Sequence, residues 1–579
     1  MRQVKQFFYH GPIPEPVPYD TIFKFLSYMG PIGADVETPN LDDRRHLGTA
    51  FAISTTESFY FPYDSPIFPW DKLANPNLPI VFHNNGFDVP ILEEHGRRIY
   101  NKDFRITNVQ DSCSMAQCLG LPLRLSTLCQ LLFGREPRNI EDLIGPKGKD
   151  QKSMDEVPEK WIAERACIDS QDCLEVFLTL LYKVPKAAYD LETRFSPVAR
   201  KIKETGILID LEAVHKHRIK LETELTYWKL QGESLGFSAG STYQLAEVLE
   251  AQGYKIMKKR GKDNKLRPKL GKEILKTYYS TVPEAIVRMN YSSTQTLLTH
   301  LIKPLDEGRY LDKFNRIHPN MNTNVAQTGR LSRSNPATQN IKSTLRDIVI
   351  AEEGHQIFCG DFSQIELRWA AYLWDDKNMQ EIFKHPPDSE EGDIHGATAR
   401  SLIKQGYGHL MGPDWKTQRG LGKTLNFLLM YLGGVETMWQ RFRIPVDVGQ
   451  QLLDGFFTAY PGIANGIEET KKFALANGYT ETYLGRRRDE SEALDSGIDW
   501  KIQAAIRALV NHPIQGSAGE SMKEKLYLDR AEPVFHTVHD EEAIDVPMDY
   551  EYAGYSHKIA PFDIPFEAGF GKNWQEAKP

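Results

Sequence analysis

HQIFCGDFSQIELRWAAYL, residues 355–373, passes from a strand pattern to a helix pattern within a few residues. Ile357, Phe358 and Cys359 form a short apolar run that reads as a buried strand, and Gly360-Asp361 ends it. Ser363 fits a helix N-cap, with Glu366 three residues on at the capping-box position. Asp361 is therefore expected where a strand turns into a helix, its carboxylate free to hold a cation, with Glu366 one turn behind. Taken alone, the stretch reads more simply as an acidic strand end plus a capping glutamate. Its company changes that reading.

Downstream, Val538-His539-Asp540-Glu541 follows the apolar-edged Pro533-Val534-Phe535 and can supply a second carboxylate from a hairpin. Between the two acidic stretches lie Arg419, Lys423, Phe427 and Tyr431, four apart and hence along one helix face. Gly433-Gly434 offers a helix stop. Two carboxylates, a cationic helix and a nearby glutamate suggest nucleotidyl transfer by two metal ions. DFSQIELR (361–368), the R-x3-K-x3-F-x3-Y run (419–431) and VHDE (538–541) resemble motifs A, B and C of the family A DNA polymerases, in the right order. The resemblance extends from about residue 190 to the C-terminus.

That resemblance implies roles. Asp361 and Asp540 are the expected metal-bridging pair, with the Phe362 carbonyl as a further ligand and Glu541 either a catalytic neighbour or the holder of a nearby water or cation. Arg419 and Lys423 would meet the triphosphate, and Phe427 and Tyr431 the base and sugar. His395, in Asp393-Ile394-His395, would contact the β-phosphate region, with Gln364 also in the nucleotide pocket. Glu366 would close that pocket against a ribose 2′-OH. Phe427, where some relatives carry Tyr, implies discrimination against dideoxynucleotides.

TGRLS (328–332) and Asn335 to Ile341 also match the family, which makes Arg330, Gln339 and Asn340 expected DNA contacts. Arg507, Asn511 and Gln515 share a helix face and can reach the minor-groove acceptors common to all base pairs. His539 would join them at the primer end. GYTETYLGRRR (478–488) and the closing GFGKNWQEA match as well, while Lys342 and Arg346 receive no primer-contact role. The basic stretch 255–272, KIMKKRGKDNKLRPKLGK, reads either as a solvated loop or as a thumb-tip loop gripping duplex phosphates. Its place within the resemblance favours the second.

The first 187 residues carry a second set of acids. Asp35 and Glu37 alternate in the strand-like IGADVET and so share a face. An apolar strand, residues 79–82, leads into a polar turn ending in Asp88, and a helical segment from Ala163 to Leu181 carries Asp169 and Asp172. Together they resemble the three motifs of the DEDD 3′–5′ exonucleases, in which four carboxylates hold two Mg²⁺. Asp172 is the preferred third-motif ligand and Asp169 the alternative. The family's Tyr four residues earlier is missing either way: Ile168 precedes Asp172 and Arg165 precedes Asp169. Metal binding with a reduced excision rate is the expectation.

The 579-residue chain is long enough for several compact units, and 41% hydrophobic with 26% charged residues is a soluble, globular balance. No apolar run is long enough for a membrane span, and the N-terminus lacks the apolar core of a secretory signal. A net charge of −8 gives no bulk support to nucleic-acid binding, so any basic surface must be local. Six cysteines without paired C-x2-C spacing read as reduced thiols with no zinc site.

The expected fold is an α/β, RNase H-like exonuclease domain (1–187) followed by an α+β right-hand polymerase domain (188–579). Thumb is expected near 205–305, palm near 306–374 and 446–579, and fingers near 375–445. The expected function is primer extension with dNTPs on template DNA plus proofreading, of phage type, without a 5′ nuclease domain, in a cytoplasmic monomer. Two Mg²⁺ at each site, with Mn²⁺ as a substitute, are the implied cofactors. A processivity factor, helicase or single-strand-binding protein remains open as a partner. A single-subunit RNA polymerase and a catalytically silent nucleic-acid-binding protein are the competing readings. Glu366 and the N-terminal acids speak against the first, the retained carboxylates against the second.

Overall fold

The computed structural model describes residues 5–8, 19–40, 43–137, 139–148, 150–261, 264–430, 432–552 and 560–578. In the N-terminal part, Lys5–Phe8 (β1), Ile32–Glu37 (β2), Gly48–Ala52 (β3), Glu57–Pro62 (β4), Ile80–Phe82 (β5) and Val109–Asp111 (β6) form one mixed sheet in the order β1-β4-β3-β2-β5-β6. β2, β5 and β6 run parallel, and β3 lies antiparallel to β2 and β4. Helices Asn85–Ile99 (α1), Ser112–Cys118 (α2) and Glu159–Leu180 (α3) pack with these strands, which accounts for the near-continuous apolar runs in β3 and β5. Asp88, expected in a turn, lies in the first turn of α1.

Gly33 sets the depth of the α3–β2 contact. A Cβ at this position would sit 2.2 Å from the Ser170 carbonyl oxygen, so only glycine lets the helix backbone come this close to the strand.

Lys186–Thr205 (α4) leads into the long helix Leu211–Ser234 (α5). The basic stretch after it is a hairpin, Lys258–Arg260 (β7) paired antiparallel with Leu266–Pro268 (β8), and the helix Pro283–Leu297 (α6) packs back on α5. This part keeps its own core of Phe237, Leu245, Leu249, Leu275 and Tyr279.

Asn320–Asn322 (β9) pairs with Ser332–Ser334 (β10) ahead of the strand His355–Phe362 (β11) and the helix Ile365–Leu373 (α7). Then come Ile394–Lys404 (α8), Trp415–Met430 (α9), Val435–Phe442 (α10), the short pair Tyr479–Glu481 (β12) and Arg487–Asp489 (β13), and the 30-residue helix Asp499–Leu528 (α11). Val534–Val538 (β14), Glu541–Pro547 (β15) and Phe566–Gly571 (β16) complete an antiparallel sheet in the order β14-β15-β11-β16. Phe358, Phe362 and Trp369 join Val510, Ile514, Ala518 and Met522 of α11 in one core. Among the described residues no helix is long and apolar enough to cross a membrane. All six cysteines are buried and free.

Two local expectations need correction. β11 runs past Gly360-Asp361 to Phe362, and Ser363 does not cap a helix. The Phe362 N–H donates to the Asp540 carbonyl (3.2 Å) and the Ser363 N–H to the Pro565 carbonyl (2.9 Å), so both residues are still tied to neighbouring segments of the sheet. The chain turns one residue later, at Gln364, which takes a left-handed φ of 56° and contributes no side-chain cap bond.

A buried charge network in the C-terminal part reaches the N-terminal part through Gln117. Arg486, in the β12–β13 turn, is fully buried and pairs with Glu192 of α4, donates to Gln117 of α2 (2.8 Å) and lies 3.4 Å from Glu520 of α11. Lys523 adds a 2.5 Å contact to Glu192. Each charge in this group has an opposite partner, as buried ions require.

Candidate active sites

In the C-terminal half, strand register does the positioning. Asp361 stands opposite Glu541 on one side and Glu567 on the other, and Asp540 occupies the turn between β14 and β15. Burial, followed by the charges of Glu541 and Asp540, pushes the Asp361 carboxyl up to about 7, with Lys578 opposing. Burial also raises Asp540, against Arg330 and His539. Asp540 Oδ1 is buried without a hydrogen bond, 3.6 Å from Arg330 Nη2. Clustered acids with an unsatisfied buried oxygen fit a bound cation.

Among the described residues, no three His, Cys, Asp or Glu side chains form a group able to hold a metal ion by themselves.

Glu541 holds cationic side chains, the alternative left open for it. Its buried carboxylate accepts from Trp574 Nε1 (2.6 Å) and Arg346 Nη1 (3.4 Å) and lies 3.3 Å from Lys578 Nζ. Arg346 in turn stacks over the Trp574 ring at 3.9 Å. Glu541 is thus a held charge that anchors the C-terminal segment behind Asp361. Glu366 is paired with Arg330 rather than acting as a capping residue, so these two expected contacts occupy each other.

The cationic helix is α9. A Cβ at Gly422 would lie 2.3 Å from the His395 carbonyl oxygen, so glycine lets α9 settle on α8. Arg419 grips Asp393 through Nε (2.6 Å) and Nη2 (3.0 Å). The Lys423 ammonium sits 5.8 Å from the Phe427 ring, which is 5.9 Å from the His395 ring. Burial, then Lys423 and Arg419, push His395 down to about 4, so it is neutral near pH 7. Its Nδ1 is 2.9 Å from Asn426 Nδ2, which places the ring proton on Nε2, a buried atom without a partner. Tyr431 lies outside the described residues.

The expected DNA contacts divide. Arg507 and His539 are exposed, Gln515 is half-buried, and Asn511 keeps a buried Oδ1 without a protein partner. Asn340 is exposed, but Gln339 donates to the carbonyls of Leu331 (3.3 Å) and Thr537 (3.2 Å) and so fastens the β14 region.

In the N-terminal half, β2 presents Asp35 and Glu37, and the Val36 N–H donates to Asp88 Oδ1 (3.1 Å), which draws α1 onto the strand. Burial, then the charges of Glu37, Asp169 and Asp88, hold Asp35 well above the usual carboxylate range. Glu37 is pushed up to about 8 by burial and Asp169, and Asp88 to about 8 by burial. Here the preference for Asp172 is corrected. The helical acid whose charge acts on both β2 carboxylates is Asp169, whereas Asp172 pairs with Arg135. Arg165, one turn before Asp169, lies 3.2 Å from it.

Asp111 went unread in the sequence. It accepts from the Asn84 and Asn85 backbone N–H groups (3.0 and 3.1 Å) and caps α2 through Cys113 (2.8 Å). An Asp ending an extended run just before Ser-Cys-Ser was the available signal.

Comparison with known proteins agrees with this layout. Residues 209–560 match the model of DNA polymerase family A, and residues 18–157 match a 3′–5′ exonuclease model. The chain is 30% identical to DNA polymerase I of Chloroflexus aurantiacus, over 87% of this chain and 56% of that protein. It is 26% identical to DNA polymerase I of Pseudomonas aeruginosa, over 96% of this chain and 65% of that one. The chain thus spans between about half and two thirds of the length of these relatives. The POL domain of Pol1 from M. smegmatis, solved with DNA primer-template and dNTP, superposes with a TM-score of 0.77 at 19% identity, covering 99% of this chain and 100% of that one. The fold is therefore an exonuclease domain followed by a right-hand domain.

Proposed function

The chain belongs to DNA polymerase family A, and from that premise we propose that it extends a primer 3′-OH with dNTPs on template DNA and excises mispaired 3′ ends in its N-terminal half. One observation carries the reading: residues far apart in sequence meet where the Phe362 N–H binds the Asp540 carbonyl, which sets Asp361 and Asp540 together with an unsatisfied carboxylate oxygen.

Asp361, Asp540 and the Phe362 carbonyl would hold the divalent cations at the extension site, and Asp35, Glu37, Asp88 and Asp169 those at the excision site. Two Mg²⁺ at each site, with Mn²⁺ as a substitute, would activate the attacking oxygen and neutralise charge on the phosphate. The protein's own share is positioning and charge. Lys423 offers its ammonium to the triphosphate, and Arg419 does so on exchanging Asp393 for phosphate. Neutral His395 donates Nε2–H to a phosphate oxygen without adding charge. Glu366, held by Arg330, lines the sugar side of the pocket, with Gln364 beside it. Arg507, Asn511 and Gln515 check the minor-groove edge of the primer-template. In the proposal the enzyme works as a cytoplasmic monomer. The relatives named above are bacterial, and the phage-type expectation draws no support from them.

Primer extension with Mg²⁺, run with dNTPs and separately with rNTPs, tests the reading. Template-directed extension with dNTPs, weak with rNTPs and lost in Asp540→Ala, is expected. Preferential use of rNTPs would favour an RNA polymerase, and no extension by folded protein with either would overturn the polymerase reading.

A further inference from the structure

The N-terminal acid cluster contains a cation of its own. Arg165 and Asp169 are one turn apart on α3, Nη2 to Oδ2 is 3.2 Å, and the two side chains are 21% and 20% exposed. This shelter reduces the screening that weakens surface pairs. Gly33 holds α3 close on β2, so the guanidinium is fixed near Asp35 and Glu37, and its charge opposes the mutual repulsion at both. A guanidinium stays charged at every working pH. It leaves a carboxylate only by moving away.

We propose that Arg165 is the resident counter-ion of the excision site: it balances Asp169 in the absence of metal and must be displaced when a divalent cation binds. The inference rests on the excision reading above and deepens it. A cation entering this site meets a carboxylate already paired, which weakens its apparent affinity relative to the same acids without the arginine. Arg165 thereby sets the metal concentration at which the site fills. At the Asp361–Asp540 site the guanidinium sits farther off: Arg330 is paired with Glu366 and lies 3.6 Å from Asp540 Oδ1, which makes no hydrogen bond.

Mn²⁺ alone is the probe, its free concentration followed by electron paramagnetic resonance, on the full chain carrying Asp540→Ala so that the excision site dominates. Adding Asp35→Ala defines the excision-site binding. Arg165→Gln keeps polar contacts but removes charge, and Arg165→Lys keeps charge. Arg165→Gln is expected to bind the Asp35-dependent Mn²⁺ at least fivefold more tightly, with Arg165→Lys close to the parent. Unchanged or weaker binding in Arg165→Gln, with Asp35-dependent binding intact, overturns the proposal and leaves the excision reading standing. If no Mn²⁺ binding depends on Asp35 in any of these chains, the excision reading falls and the proposal with it.

Discussion

The Phe427 ring, 43% exposed on α9, has Lys423 within cation–π reach and His395 alongside, and nothing polar on the ring itself. A nucleotide in this pocket would have to keep its own 3′-OH to make a polar contact there. Phe427→Tyr supplies a hydroxyl in its place, and dideoxynucleotide use should rise about tenfold or more, the worth of one hydrogen bond. Competition between ddNTP and dNTP measures it, and unchanged discrimination would contradict the assignment. At this scale the sequence was readable where a residue's role follows from its own element. Strand, hairpin and helix periodicity put Asp361, Asp540 and the α9 residues Arg419, Lys423 and Phe427 on their elements, and the family resemblance supplied the roles expected of them. Asp169 and Asp172 were not separable, because acids three apart on a helix lie on neighbouring faces and only the distant partners, β2 and Arg135, decide between them. The partners of Glu541 were out of reach for the same reason: Arg346 and Trp574 are its neighbours only in three dimensions.

The contact of α3 on β2 builds the proposed excision site, and Gly33 sets its depth. Gly33→Ala places a methyl 2.2 Å from the Ser170 carbonyl and 2.9 Å from Leu174 Cβ, neither able to yield without moving α3. Overpacking of this kind costs about 1–3 kcal/mol. Excision should fall much more than extension, because Asp169 rides on the displaced helix. Equal loss of both activities would argue against so local an effect. Element types were legible wherever burial imposed a pattern, as in β5, β11 and β14. Boundaries were not. The start of α7 depends on bonds from Phe362 and Ser363 to Asp540 and Pro565, which no local spacing reveals. The basic stretch 255–272 proved to contain a hairpin, since exposed strands such as β7 carry no burial pattern to read.

Across the whole molecule, carboxylates crowd in both halves, which meet where buried Arg486 donates to Gln117. That crowding has a thermodynamic signature. Glu37 and Asp88 titrate near 8 and Asp361 near 7, all above the range of unfolded carboxylates. The folded state therefore binds these protons more tightly than the unfolded chain, and stability is lost as pH rises through the raised values. His46, His95 and His512, depressed to about 3, 4 and 3 chiefly by desolvation, lower stability only on the acid side, below about 6.5. Between pH 6.5 and 8 in a chelator, Tm should fall by roughly 2–5 °C. Mg²⁺ should restore it, and Glu37→Gln should flatten the slope. A Tm that climbs over this interval would contradict the account. The central claim is that two separate sites act on the same 3′ end. Its most direct measurement is a labelled, 3′-mismatched primer on template DNA with Mg²⁺, with and without dNTPs, for the wild type, Asp540→Ala and Asp35→Ala. Shortening lost only in Asp35→Ala and extension lost only in Asp540→Ala is the predicted result. Both activities vanishing in either variant, or shortening that survives Asp35→Ala, would contradict it.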